Sequence, residues 1–544
     1  MLKSREAARL LENIVGPDNF SEDPAIIASY VFQPFPRSVG QASKDIYEAV
    51  KLGAVILPGN TEEVQTIAKV CNRYGITYKA LSTGLGAWGV PTREGSLQVD
   101  MRRMNRIIKL EDRNMYAIVE PYVTCRELAV ESSKKGLTCH IIGAGSETSV
   151  LASVSNGWGH GHDATTASHN GRNCLGAEWV LPTGEVVRWG LVEEGKAGYP
   201  GPGLPGIYRG NTGAFGGLGI FTKVAVKLYP WPGPAALEIR GENQNPGYKV
   251  PHNMRVYLLA FPSPEKLAEA VYKLTEEEIA YHAWCHPLFM HPQRWMGSSN
   301  DDHYEIWERL RSAGLVDKSL DELSVVIAGY SERELRYKEK VLKEIIGETG
   351  ATDFLAGVLT EEDKERFFCA QIAAHKPCTE FRIGAGDMGS GMGQIMHWSA
   401  QAKLKKWVRE FQKKYIERGI LIDTAGESCW GGPIEQRAAG HTEYPIFTDT
   451  RNLDCMAGRR EFLEETHRKA IEEKLMGNGS IEASVIALID ELENAALGDY
   501  FDFKRKIKDV FDPKGVADAY QYLAGKQEAL RNRKSQQAKT YERE

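Results

Sequence analysis

Long apolar runs are missing from this chain. None approaches the roughly 18 residues that a membrane-spanning helix requires, so no span is expected. The first residues, Met1-Leu2-Lys3-Ser4-Arg5-Glu6, lack the apolar core of a signal peptide and read instead as the start of an amphipathic helix. Cysteine is present nine times but scattered, and no two cysteines form a Cys-x-x-Cys pair. That spacing argues against a zinc ribbon or a built-in iron–sulfur cluster. Reduced thiols in the cytoplasm are the default expectation. A strong charge of either sign is also missing: the formal net charge of −6 gives no reason to expect a nucleic-acid partner.

What is present suits a globular enzyme. The 544 residues are long enough for two or three domains, and 42% apolar with 26% charged content supports a sizeable core. One unit organises the first half. An apolar run, Ala54-Val55-Ile56-Leu57-Pro58, precedes a segment from Thr61 to Tyr74 in which Val64, Ile67, Ala68 and Cys71 recur at helical spacing. A β-like run, Thr77 to Leu81, leads into Ser82-Thr83-Gly84-Leu85-Gly86-Ala87-Trp88-Gly89. Glycines and hydroxyl residues in such a turn let backbone N–H groups converge on one point, which is how a loop cradles phosphate. Further along, Thr124-Cys125-Arg126-Glu127 is a capping box, Ser263-Pro264 starts a helix, and Ser331-Glu332-Arg333-Glu334 is a second capping box. Ser399 to Arg418 is an amphipathic helix with Gly419 beyond its end. The alternation from Ile220 to Leu228 predicts a half-buried strand, and residues 480–497 and 500–523 read as helices.

Six motifs in register carry a resemblance. Leu57-Pro58-Gly59-Asn60-Thr61-Glu62-Glu63-Val64, the glycine turn, Leu97-Gln98-Val99-Asp100 with Arg103 to Ile107, Ile118 to Thr124, Trp179 to Val186, and Gly217-Leu218-Gly219-Ile220-Phe221-Thr222-Lys223 follow one another with the spacing of one family. Over about residues 50–232 the chain resembles the FAD-binding domain of the vanillyl-alcohol oxidase / p-cresol methylhydroxylase flavoproteins. The resemblance implies an α+β fold: a two-subdomain PCMH-type FAD-binding domain at 50–235 and a ferredoxin-like α+β cap, or substrate domain, at 236–490. An N-terminal extension at 1–49 and a C-terminal return with a polar tail at 491–544 complete it. It also implies FAD, with its pyrophosphate on Ser82 to Trp88. The expected cofactor contacts are Pro58, Ser82, Thr83, Gly84, Leu85, Gly86, Ala87 and Trp88. A second glycine-rich segment adds Gly145, Ser146, Ser149, Ser153, Asn156, Gly157, Gly159 and His160, and the closing motif adds Gly219 and Ile220.

Where the chain departs from the family, the implication changes. The positions that tether flavin in many relatives hold Gly86, Ala87, Gln394 and Ile395 here, so the FAD is expected to be non-covalent. The carboxylate that relatives place near the flavin N5 is replaced by Ser155. The aromatic of the turn is Trp88, and the C-terminal Tyr-Arg pair reduces to Tyr500-Phe501. These changes argue against phenol oxidation without touching the cofactor. The expected catalytic residues are His160, His397, Tyr500, Glu427 and Arg437. His160 and His397 are the candidate proton acceptors, and Glu427, Arg437 and His441 are candidates to hold an acidic substrate. No metal ligand set is expected, because Gly386-Asp387-Met388-Gly389 and Gly426-Glu427-Ser428 fit poorly the metal motif of 2-hydroxy-acid dehydrogenases on this scaffold. The expected reaction is oxidation of a small alcohol, hydroxy acid or aryl compound by hydride transfer to flavin. A metal-assisted lactate- or glycolate-type dehydrogenase serving a partner protein is the rival enzyme, and a flavin-binding electron-transfer subunit is the rival from another class. Oxygen or a redox protein accepts the electrons, and a homo-oligomer is expected.

Overall fold

The computed structural model describes residues 2–31, 51–84, 89–140, 145–155, 164–168, 170–193, 207, 214, 216–241, 246–286, 299–314, 316, 321–372, 374–376, 387–396, 398–423, 430–449, 452–473, 475, 500–519 and 522–523. Two sheets build the first half. The smaller runs in the order β1 (Phe20–Ser21), β2 (Ala54–Ile56), β4 (Leu97–Asp100) and β3 (Tyr78–Leu81), with β2–β4 and β3–β4 parallel. Parallel strands need a crossover. The helix Thr61–Tyr74 supplies it: Asn60 caps its start by accepting from Glu63 N, and Gly75 ends it in the left-handed region. Its apolar stripe, Val64, Ile67, Ala68 and Cys71, is wholly buried. The N-terminal helix Arg5–Val15, capped by Ser4, seals the same core with Leu11 and Val15.

The larger sheet is antiparallel in the order β5 (Ile107–Glu111), β6 (Tyr116–Val119), β10 (Ile220–Lys227), β8 (Cys174–Val180) and β9 (Val186–Gly190). Helices Cys125–Ser133 and Val150–Ser155 cover one face. The Thr124–Glu127 capping box forms as expected. β10 is more buried than a half-exposed strand: a register shift between Phe221 and Lys223 places Phe221 in the same core as Val224 and Val226, and a small second cluster with Tyr116, Ile118 and Leu175 covers Ala225 on the opposite face.

Two ribbons, β7 (Leu137–Thr138) with β11 (Tyr229–Pro230) and β12 (Ile239–Arg240) with β13 (Gly247–Tyr248), lead into the second half. There β15 (Ala280–Trp284), β16 (Asp321–Ala328), β14 (Met254–Phe261) and β17 (Thr352–Asp353) form an antiparallel sheet backed by helices Pro264–Glu276, Glu332–Thr349 and Ser399–Glu417. A three-stranded sheet, β18 (Asp387–Met396), β20 (Ala439–Thr448) and β19 (Trp430–Ile434), abuts it through a bridge between Cys285 and Gly431. Ser263 and Ser331 cap their helices. Glu334 does not close a reciprocal box, however: its carboxylate accepts from Tyr330 N, one residue earlier than the pattern requires.

The C-terminal helix spans Tyr500–Phe511 and stops there, short of the helix expected to 523. Asp512-Pro513-Lys514-Gly515 breaks it, with Gly515 at φ +65°. The chain then runs beside β3, where Tyr78 and Ala517 form a parallel bridge. The stretch 480–497 lies outside the described residues.

Candidate functional site

The first glycine turn leaves β3 at Ser82, Thr83 and Gly84. Gly84 has φ +74°, and among the described residues a Cβ there would meet only Leu81 Cδ1, at 3.7 Å. The backbone conformation is therefore one that favours glycine, and no other described atom lies within 4 Å of that Cβ position. Both ends of the turn are tied down. The Gln98 side-chain amide donates to Lys79 O and to Gly89 O, each at 3.0 Å. Asp518, fully buried, accepts from Thr92 N at 2.5 Å and lies 3.9 Å from Lys79 Nζ. Burial pushes the Lys79 ammonium down, opposed by the Asp518 carboxylate. Beside it, Lys508 donates to Gly217 O, Ala517 O and Asp512. The C-terminal return thus braces the turn, and Gln98, Lys79, Lys508 and Asp518 do this without having been singled out in the sequence. Their only signal was hydrophilic residues inside apolar strands and in the C-terminal return.

Pro58 is buried at the start of the crossover. The closing motif packs close by. Gly219, at φ +109°, would place a Cβ 2.3 Å from Val180 O, and a Cβ on Gly216 would sit 3.4 Å from Lys79 Cε. Ile220 is core, paired with Val180. Gly219 serves close approach of two backbones, and Gly216 leaves room for the Lys79 side chain.

The second segment folds around Ser149, whose hydroxyl donates to Pro121 O and accepts from Ala152 N, capping the helix Val150–Ser155. Thr148 Oγ1 donates to Gly145 O at 2.6 Å. Ser153 is buried on that helix. Ser155, in the register of the relatives' carboxylate, donates to Leu151 O of its own helix. Ser146 differs from all of these. It is fully buried, and its Oγ has no hydrogen-bond partner among the described residues. A buried hydroxyl without a partner costs about 1–3 kcal/mol; Ser324 Oγ and Thr442 Oγ1 in the cap share this condition, so it is the place of Ser146 in the second glycine-rich segment that suits it to an acceptor outside the chain. With a positive-φ glycine turn and a buried hydroxyl awaiting an acceptor, these residues fit a phosphorylated dinucleotide.

Leu85, Gly86, Ala87, Trp88, Asn156, Gly157, Gly159, His160, His397 and Glu427 lie outside the described residues, as does the side chain of Tyr500. Arg437 lies in the β19–β20 turn, where it faces Glu276 at 3.6 Å and donates to Tyr272 O. His441 lies instead on β20, wholly buried with its ring against Trp284 and Trp430. Arg437 and His441 therefore do not form one cluster. The cap core also holds His282 and His286, whose Nε2 atoms both lie 3.1 Å from Gln371 Oε1. His140, at the end of β7, contacts Tyr229 and the cap residue Tyr281.

Comparison with known proteins agrees with the fit. Residues 53–190 match the family model of an FAD binding domain. The chain is 29% identical to 1'-carboxy-chondrochloren decarboxylase of Chondromyces crocatus over 34% of each chain. It is 30% identical to an FAD-linked oxidoreductase of Mycobacterium tuberculosis over 42% of this chain and 46% of that protein. The chain therefore matches less than half the length of either relative. At the level of fold the likeness is wider: p-cresol methylhydroxylase with substrate bound superposes with a TM-score of 0.69 over 96% of both chains at 16% identity.

Proposed function

From a chain that carries a PCMH-type FAD-binding domain, with FAD as its cofactor, we propose an FAD-dependent oxidoreductase acting on a small alcohol, hydroxy acid or aryl substrate. The observation that carries the cofactor's place is Ser146 Oγ, buried and without a partner among the described residues, in the segment expected to line the flavin. Bound FAD supplies a two-electron acceptor for a substrate hydride. Everything else falls to side chains. Gly84 leaves room for the pyrophosphate, and Gln98 and Asp518 keep the turn from collapsing into that room. The FAD is held without a covalent bond, since Gly86, Ala87, Gln394 and Ile395 occupy the tether positions. His160 or His397 takes the proton from the substrate's O–H or N–H, a service worth typically 10²–10⁴-fold. The name of one relative, a decarboxylase, supports a substrate whose C–H or adjacent carboxylate is activated by oxidation.

The test is anaerobic. Purified yellow protein is mixed with hydroxy acids, aryl alcohols, alkylphenols and aryl carboxylic acids in turn, and the flavin absorbance is followed. Bleaching by one class identifies the substrate. Failure of every class, with full reduction by dithionite, would favour an electron-transfer subunit. Acid precipitation of the same sample should leave the yellow colour in the supernatant, and a yellow pellet would overturn the non-covalent assignment.

A further inference from the structure

Only four described non-glycine residues have a positive φ, and three of them lie at one seam: Glu278 at +52°, Glu435 at +53° and Gln436 at +63°. None of the three is a residue type that prefers this region, apart from what its surroundings impose. Glu435 and Gln436 open the turn between β19 and β20. Their backbone N–H groups point out of the cap and donate to Ala167 O at 3.2 Å and Thr165 O at 2.6 Å. Thr165 also donates its own N–H to Tyr281 O at 2.9 Å and its hydroxyl to Ala280 O at 2.8 Å, both on β15. The Gln436 side chain reaches Glu278 at 2.9 Å, and the Glu435 carboxylate pairs with Arg172. Thr165 and Ala167 are buried.

The far side of this seam belongs to the flavin-binding half. Arg172 sits in the short 3₁₀ turn Asn170–Asn173, which packs against the helix Val150–Ser155 that Ser149 caps and that carries Ser153. Asn173 in turn holds Ser168 O at 2.6 Å. A chain of fixed groups thus runs from a strained cap turn, through residues 164–168 and Arg172, to the wall that includes Ser146. Strain of this kind persists only where the surroundings over-determine it, and it concentrates where a particular geometry is needed.

We propose that the Glu435–Gln436 turn is a latch that positions the flavin-binding wall, and that Arg172, Glu435 and Thr165 are positioning residues for the cofactor. The inference rests on the placement of FAD given above. Closing the latch holds the helix Val150–Ser155 and the segment beginning at Ala164 in the arrangement that FAD needs. By linkage, FAD holds the latch closed in return.

The test uses the full-length holoprotein with Arg172→Glu, Glu435→Arg and the double exchange. Arginine at 435 is no less strained than glutamate, so the exchange leaves the backbone strain unchanged. FAD dissociation should quicken by about tenfold in each single variant, the scale of one charge-assisted hydrogen bond, and return to within about threefold of the unmodified rate in the double variant. The visible circular dichroism of the flavin should change and recover in the same pattern. Hydrogen exchange adds a readout independent of any variant's folding: peptides covering 164–168 and 435–438 should exchange faster in apoprotein than in holoprotein. Unchanged FAD dissociation in both single variants, no recovery in the double variant, or equal exchange with and without FAD would each overturn the latch while leaving the flavoprotein reading intact. Protein that takes up no FAD at all would overturn that reading, and the latch with it.

Discussion

Glu178 offers the sharpest quantitative test of how the flavin domain is held together. It lies on β8 with its side chain 3% exposed, and it gathers four partners: Thr61 Oγ1 at 2.5 Å, Arg188 Nε at 2.6 Å, Lys223 Nζ at 2.9 Å and Thr222 Oγ1 at 2.9 Å. These tie the crossover helix of the smaller sheet to three strands of the larger one. Burial alone would raise the carboxyl's pKa, but the hydrogen bonds from Thr61, Lys223 and Arg188 outweigh it and hold the group at about 2. Against an ordinary glutamate near about 4.3, that is an upper bound of roughly 3 kcal/mol. Arg188 and Lys223 are 40% and 29% exposed, so water recovers part of the loss when the charge is removed. The expected cost of Glu178→Gln is therefore about 1–2 kcal/mol at pH 7. Glutamine keeps an acceptor oxygen for the threonines, so the change reports the charge. The sign follows from a depressed folded pKa: the stabilisation is complete above the unfolded value and fades as pH falls from about 5 toward about 2. Thermal unfolding followed by release of FAD fluorescence should show the variant melting about 2–6 °C lower at pH 7, with the gap falling to roughly half at pH 3. A gap of equal size at both pH values, or none at pH 7, would refute the assignment of the stabilisation to this carboxylate.

Other expectations follow from the turns and the histidines. At Gly84, asparagine and aspartate have nearly the same shape and both tolerate the left-handed region. Gly84→Asn should keep FAD, while Gly84→Asp should weaken it by about 10–100-fold through one added negative charge facing pyrophosphate, and equal affinities measured by fluorescence titration would displace the phosphate from this turn. Gly219→Ala forces a Cβ to 2.3 Å from Val180 O at φ +109°. It should cost at least about 2 kcal/mol, and an unchanged melting temperature would show that β10 enters the sheet differently. His160→Ala and His397→Ala should each retain FAD yet slow flavin reduction by the identified substrate. In the unmodified protein that rate should fall below about pH 6.5 as the base protonates. Normal rates in both variants would assign the proton to another group, for which buried His441 is the next to replace.

Local patterns translated well into local structure. Asn60, Thr124, Ser263 and Ser331 cap helices because a side-chain oxygen next to an unsatisfied N–H needs no distant partner. The stripe Val64–Ile67–Ala68–Cys71 became the buried face of the crossover helix for the same reason of short-range periodicity. The C-terminal helix ends at Phe511 although apolar residues recur after Pro513. Their burial comes from β3 and the larger sheet's core, not from a helical stripe.

Polar residues inside strands carried the least warning of their roles. Lys79 and Gln98 on neighbouring strands, and Asp518 far along the chain, meet only because the C-terminal return lies beside β3. Nothing in Glu435-Gln436-Arg437-Ala438 signals a left-handed turn, since it lacks glycine and asparagine. That conformation is imposed by acceptors on Thr165 and Ala167, about 270 positions earlier in the chain. Among the described residues the sequence determined the helix starts and their caps and, through six motifs in order, the kind of domain and cofactor, because each depends on residues close together in the chain. The tertiary structure decided which hydroxyl was left without a partner, which charges were buried together and which turn was strained. Those properties depend on what the rest of the chain brings alongside, and no local pattern records it.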